Sequence, residues 1–141
     1  MELPLTLHDL LIRPIGYVRS SLESLDHAPR QGDEGAPDAW LELQPEVLAG
    51  VDGIALGQEI IVLTWLHQAQ REVLKTHPRN DTTLPLSGVF ATRSPDRPNP
   101  IGLHRVRVAE MASGRIKVGP LEAIDGTPIV DIKPVLSVGD H

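Results

Sequence analysis

From Leu103 to Met111 the chain alternates, with Arg105 and Arg107 on one side and Val106 and Val108 on the other. That period of two predicts a half-buried strand and argues against a helix. The rhythm returns from Arg115 to Val118, where Ile116 and Val118 alternate with Arg115 and Lys117. Ser113-Gly114 between the two runs reads as a hairpin turn. Ile60, Ile61, Val62, Leu63 and Trp65, following Gly57, form the best buried-strand candidate. Ile12–Arg19 is β-compatible, with Pro14 suggesting an edge position. Trp40, Leu41 and Leu43 fit a short strand, and Ile129, Val130 and Ile132 form the last one, after the turn-like Asp125-Gly126-Thr127-Pro128.

Between these runs the signals are weaker. Residues 20 to 38 are loop-like, and Pro45 to Leu48 opens a single helical turn. Leu66 to Lys75 is compatible with a helix, which His77-Pro78 and Asn80-Asp81 would end. Residues 76 to 87 read as a polar loop, and Val89 and Phe90 as the start of another strand. The sum is mainly β: a small single-domain β-barrel with short helical segments over residues 11–136, an N-terminal arm over 1–10 and a tail over 137–141. Closing the sheet is the natural answer to exposed strand edges.

Composition narrows the picture. At 141 residues the chain is expected to be one domain with a real core. No signal segment and no run approaching a membrane span is visible, and cysteine is absent. Disulfides, thiolate metal sites and a cysteine nucleophile drop out, and a soluble cytoplasmic protein is expected. The six histidines show no metal-ligand spacing, so no metal is expected. Walker, dinucleotide-binding and hydrolase-elbow signatures are missing.

Charge is unevenly spread. The net charge is −6, yet residues 71 to 117 carry nine basic side chains against four acidic ones, while 31 to 70 carry seven acidic and no lysine or arginine. An acidic protein can still meet a phosphate backbone through a local basic face. Four aromatic residues, Tyr17, Trp40, Trp65 and Phe90, are too few for an extended base-stacking platform.

The segment GVFATRSPDRPNPIG, Gly88 to Gly102, concentrates the chemistry. Arg93 and Arg97 sit among Pro95, Pro98 and Pro100, which fix φ and remove backbone donors. It reads as a stiff cationic loop, suited to hold a ligand at low entropic cost or simply to turn the chain with its arginines in water. Other polar residues stand at the ends of apolar runs: Arg30 and Gln31 in a loop, His67 and Gln68 after the strongest strand, Asp125 in a turn. Sites on β scaffolds usually lie at such ends.

Three segments in order, Ile15-Gly16-Tyr17-Val18-Arg19-Ser20, GVFATRSPDRPNPIGL and DGTPIVDIKP, resemble the TrmO (YaeB-like) family of tRNA methyltransferases. The resemblance runs from about Leu11 to Val135, and the central motif is highly specific. It implies a small β-barrel that binds S-adenosylmethionine and methylates N6 of threonylcarbamoyladenosine at position 37 of tRNA. It also implies a homodimer with the cofactor near the subunit interface. The cofactor residues it implies are Pro29, Arg30, Gln31, His67, Gln68, Arg93, Leu103, Ile124, Asp125, Gly126 and Thr127.

Within that resemblance, Arg93 or Arg30 suits the cofactor's carboxylate, Leu103 and Ile124 its adenine, and backbone near Gly126 the adenine edge. Asp125 and His67 are the candidates for taking the released proton. Arg97, Arg105 and Arg107 are the candidates for RNA contact. Two alternatives stay open: a methyltransferase acting on another RNA or a small molecule, and a non-catalytic ligand- or RNA-binding barrel. Longer members of the family carry an additional C-terminal domain.

Overall fold

In the computed structural model the described residues are 9–23 and 35–137. Eight strands occur among them: β1 Gly16–Arg19, β2 Ala39–Leu43, β3 Glu59–Trp65, β4 Lys75–Thr76, β5 Ser87–Gly88, β6 Ile101–Ala112, β7 Arg115–Gly119 and β8 Pro128–Pro134. Six close into a barrel in the order β1-β2-β7-β6-β3-β8, with β8 returning to β1, and every pairing is antiparallel. The expected mainly-β barrel is what the chain forms.

Alternation built it. Ile60, Val62 and Thr64 of β3, Val106 and Val108 of β6, Ile116 and Val118 of β7, and Leu41 of β2 point inward and are almost fully buried. Their neighbours Arg105 and Arg107 stay exposed, as the period of two predicts. Each such aliphatic side chain contributes about 1.5–3 kcal/mol of burial, and the short strands depend on this shared interior.

Two irregularities matter. Leu63 pairs with Asp131 but Thr64 with Ile129, so β8 carries an extra residue, Val130, where it approaches the Thr64 end of β3. A second register shift lies between Val108 and Glu110 of β6 against β7. Bulges of this kind re-aim a strand end.

The barrel has two distinguishable ends. At one, Pro45–Val51 forms a 3-10 helix whose Val47 and Val51 pack against the core. A cavity of about 440 Å³ opens there, lined by Leu43, Val47, Ile54, Ile60 and Ile132 among others. At the other end lie the segments after Trp65 and before Pro128.

β1 begins only at Gly16, so Ile12–Ile15 of the β-compatible run stay outside it, and the other local departures from the sequence reading lie in that second region. Leu66 to Lys75 is compatible with a helix by local pattern, yet the observed segment is a series of turns leading into β4. Its amides bond to Pro100, Leu66 and Asp96 and so cannot close a helical ladder. Val89–Ala91 is a 3-10 helix, not a strand, because Thr92 returns its amide to the Val89 carbonyl. Within the expected polar loop, β4 and β5 pair as Lys75–Gly88 and Thr76–Ser87.

Candidate functional site

Antiparallel pairing sets Trp65, the end of β3, beside the start of β8, and β1 runs toward the same end. The turn before β8 is fastened to the chain after β1. Gly126 N donates to Val18 O at 2.7 Å, Val18 N to Thr127 O at 2.9 Å and Asp125 N to Leu22 O at 2.7 Å. Ser20 N donates to Asp125 Oδ1 at 3.1 Å, and Thr127 Oγ1 to Ile124 O at 2.7 Å. The amides of Asp125, Gly126 and Thr127 are therefore all engaged. The carbonyls of Asp125 and Gly126 accept no hydrogen bond among the described residues, leaving acceptors rather than donors at the turn.

Across from this turn stands the segment after β3. Leu66, His67 and Gln68 line a small cleft together with Ala123, Ile124 and Thr127. Ile124 and Thr127 are buried, while His67, Gln68 and Asp125 are exposed. The structure thus brings His67, Gln68, Ile124 and Thr127 together, with Asp125 and Gly126 in the same turn.

The Leu66–Arg71 segment is joined to the proline-rich loop by backbone and side chain. Leu66 N donates to Pro100 O at 2.8 Å, Arg97 N to Gln70 O at 3.0 Å, and Gln70 N to Asp96 Oδ1 at 2.9 Å. Arg71 Nε donates to Pro98 O at 2.6 Å, its Nη2 to Asn99 Oδ1 at 2.9 Å, and its guanidinium lies 5.1 Å from the Trp65 ring centre. The two loops form one unit.

The two arginines of the stiff loop part ways. Arg97 turns onto its own loop, donating from Nη1 to Thr92 O at 3.0 Å and Ser94 O at 3.1 Å, and from Nη2 to Val89 O at 2.9 Å. Arg93 is exposed and, among the described residues, has no hydrogen-bond or ion-pair partner. Arg105 binds Glu59 through Nε at 2.9 Å and Nη2 at 3.3 Å. Arg107 donates to Gly57 O at 2.6 Å and reaches Glu59 at 3.7 Å. The hydrogen bond from Arg105 holds the Glu59 carboxyl below its ordinary range, and the same bond raises Arg105.

Leu103 lies on the outer face of β6 opposite Leu63, half exposed, and does not line the cleft. Pro29, Arg30 and Gln31 lie outside the described residues.

One pair escapes the sequence reading. Thr64, fully buried, and His104 meet inside the barrel with Thr64 Oγ1 2.8 Å from His104 Nε2. Burial lowers the His104 pKa to about 4, which keeps the ring neutral. A Cβ on Gly102 would strike Thr64 Oγ1, lie 2.7 Å from His104 Nε2 and 3.2 Å from Leu66 Cδ2. This polar pair therefore sits under Leu66, a wall of the cleft. The available signal is parity: Thr64 and His104 occupy inward positions in otherwise apolar alternations.

Among the described residues no group of three or more His, Asp or Glu side chains is placed to hold a metal ion. No helix among them is long and apolar enough to cross a membrane.

Comparisons with known proteins point to one family. Residues 17–141 match the profile of the tRNA-methyltransferase O N-terminal domain. A protein of Methanothermobacter thermautotrophicus, named a probable S-adenosyl-L-methionine-binding protein, is 43% identical over 126 residues, 89% of this chain and 90% of the relative. An S-adenosyl-L-methionine-binding protein of Archaeoglobus fulgidus is 40% identical over 124 residues, covering 88% of each chain. The crystal structure of TrmO from Pseudomonas aeruginosa matches with a TM-score of 0.75 at 32% identity. That match covers 96% of this chain and 60% of the TrmO chain.

Proposed function

The chain belongs to the family of the tRNA-methyltransferase O N-terminal domain, and on that premise we propose that it is an S-adenosylmethionine-dependent methyltransferase. Its substrate, in this reading, is N6 of threonylcarbamoyladenosine at position 37 of tRNA. The observation that carries the proposal is the meeting of Leu66–Gln68 with Ile124–Thr127, on the same unit as the exposed Arg93.

The donor set fits the methyl donor. Arg93, exposed and without a partner among the described residues, offers its guanidinium for the carboxylate. Leu66, Ala123 and Ile124 supply an apolar wall for the adenine, and the open carbonyls of Asp125 and Gly126 suit its exocyclic amine. Leu103 stands outside the cleft on the outer face of β6 and belongs, in this reading, to the subunit interface. When bound, S-adenosylmethionine supplies an electrophilic methyl group on a sulfonium. The chain's part is chiefly positioning, since in-line approach of N6 to that carbon is worth orders of magnitude in rate. As N6 gains the methyl it loses its proton, for which exposed His67 or Asp125 is the nearby acceptor.

A homodimer completes this reading. The cleft holds only about 10 Å³, whereas ligand pockets measure roughly 300–1,000 Å³. Leu74, Leu86, Phe90 and Leu103 are large apolar side chains about half or more exposed, the kind of surface a second copy would cover. The proteins of similar length are named as binding proteins, which favours a non-catalytic reading as the second one.

Titrating the protein with S-adenosylmethionine by calorimetry tests the cofactor. Mass spectrometry of tRNA nucleosides after incubation with donor and unmethylated tRNA tests the reaction. Binding without any methylated threonylcarbamoyladenosine removes this substrate and leaves a non-catalytic binder or a methyltransferase on another substrate, and absence of binding overturns every reading that uses S-adenosylmethionine.

A further inference from the structure

The outer face of β1, β2 and β7 carries two adjacent rows of side chains that the cleft does not use. One row runs Arg19, Trp40, Lys117, and the next runs Tyr17, Glu42, Arg115, in register across the three strands. Inward-pointing Val18, Leu41, Ile116 and Val118 alternate with them, so these side chains are committed to the outside.

Arg115 distinguishes this face. Its guanidinium lies 4.4 Å from the Trp40 ring centre, and Lys117 Nζ lies 6.0 Å from it. Arg19 is paired with Glu42 at 3.3 Å and Lys117 with Glu110 at 3.7 Å, both pairs partly exposed. Asp38 stands over Gly119 at the end of β7. Arg115 has no carboxylate partner among the described residues. A guanidinium this close to an indole face is held there by cation–π attraction, and its edge and outer side remain able to meet a ligand. The outer side is a stacking surface for an unpaired nucleobase, and the N–H edge suits a phosphate.

The position of the face adds to its chemistry. Arg19 is followed by Ser20, whose amide binds Asp125 Oδ1 at 3.1 Å. The row of cations thus begins at the turn that lines the candidate site. Exposed ion pairs such as Arg19–Glu42 contribute little, so phosphates can replace the carboxylates at little cost.

We propose that the Arg19–Trp40–Lys117–Arg115 face binds single-stranded RNA beside the reacting adenosine, with one base stacked on Arg115. This rests on the RNA-methyltransferase reading and names surface for it outside the cleft.

Anisotropy of a fluorescein-labelled RNA stem-loop with an adenosine in its loop, measured across salt concentrations, tests the proposal. Arg115→Ala should weaken binding roughly tenfold and lower the salt slope by about 1. Arg115→Lys should keep the slope but not the affinity. Glu110→Gln should strengthen binding by releasing Lys117. Calorimetric affinity for S-adenosylmethionine should stay constant in all three. If wild type binds the RNA and Arg115→Ala binds equally well, the face assignment is overturned and the enzyme reading stands. Full affinity in Arg115→Lys overturns the stacking. If wild type binds S-adenosylmethionine but no RNA, the RNA reading falls and this inference with it.

Discussion

Thr64 and His104 face each other across β3 and β6 with 2.8 Å between hydroxyl oxygen and ring nitrogen, in a space that exists because residue 102 is glycine. Burial keeps the imidazole uncharged, and its pKa of about 4 against an ordinary 6.5 has a defined sign. Between these values the unfolded chain binds a proton that the folded one does not. His104 therefore leaves stability intact above pH 6.5 and erodes it progressively as pH falls toward 4. Urea unfolding at stepped pH should show this slope in wild type and a flatter one in His104→Gln. Equal slopes would refute the assignment.

Gly102→Ala should destabilise the barrel by about 1–3 kcal/mol, the usual range for forcing a methyl into packed space. In a His104→Ala background the cost should shrink, because one of the two obstructing groups is gone. Chemical denaturation of the four proteins of this cycle gives the coupling directly.

Arg97→Ala removes three charge-assisted bonds to the carbonyls of its own loop. A loss of about 2 kcal/mol is expected, with Arg97→Lys recovering less than half, since an ammonium lacks the planar fork. Amide exchange should quicken at Gln70 as well as in 92–97, because the two loops share bonds. Quickening confined to one loop would contradict the coupling.

Arg93→Ala should leave the melting temperature within a degree or so of wild type, as expected for an exposed residue with no partner among the described residues. Its calorimetric affinity for S-adenosylmethionine should fall by tenfold or more. Unchanged affinity would remove Arg93 from the carboxylate site.

Glu59→Gln releases Arg105 and Arg107 together. Stability should move little, since the pairs are exposed. If these arginines touch RNA, binding and its salt slope should both increase. An unaltered slope would leave them as partners of Glu59 alone.

Alternation makes β3, β6 and β7 legible, because a strand with one wet face writes its burial into every second residue. The cation at Arg93 and the turn at Asp125–Thr127 are legible as punctuation between such runs. Pairing at a distance is not. Arg93 and Arg97 look alike in the proline-rich loop, and only three-dimensional closure shows that Arg97 is spent on Val89, Thr92 and Ser94. The turns of Leu66–Leu74 resemble a helix locally because their determinants, Asp96 and Pro100, lie far along the chain. Thr64 and His104 are single polar residues in apolar alternations, and nothing in either strand announces the other.

All six barrel strands have neighbours on both sides, so none stands as a whole edge strand for a partner to extend. Among the described residues only the strands of the short β4–β5 ribbon have a neighbour on one side alone. Recognition is left to side chains and loop tips, and its specificity can then change by single substitutions without disturbing the scaffold that carries them.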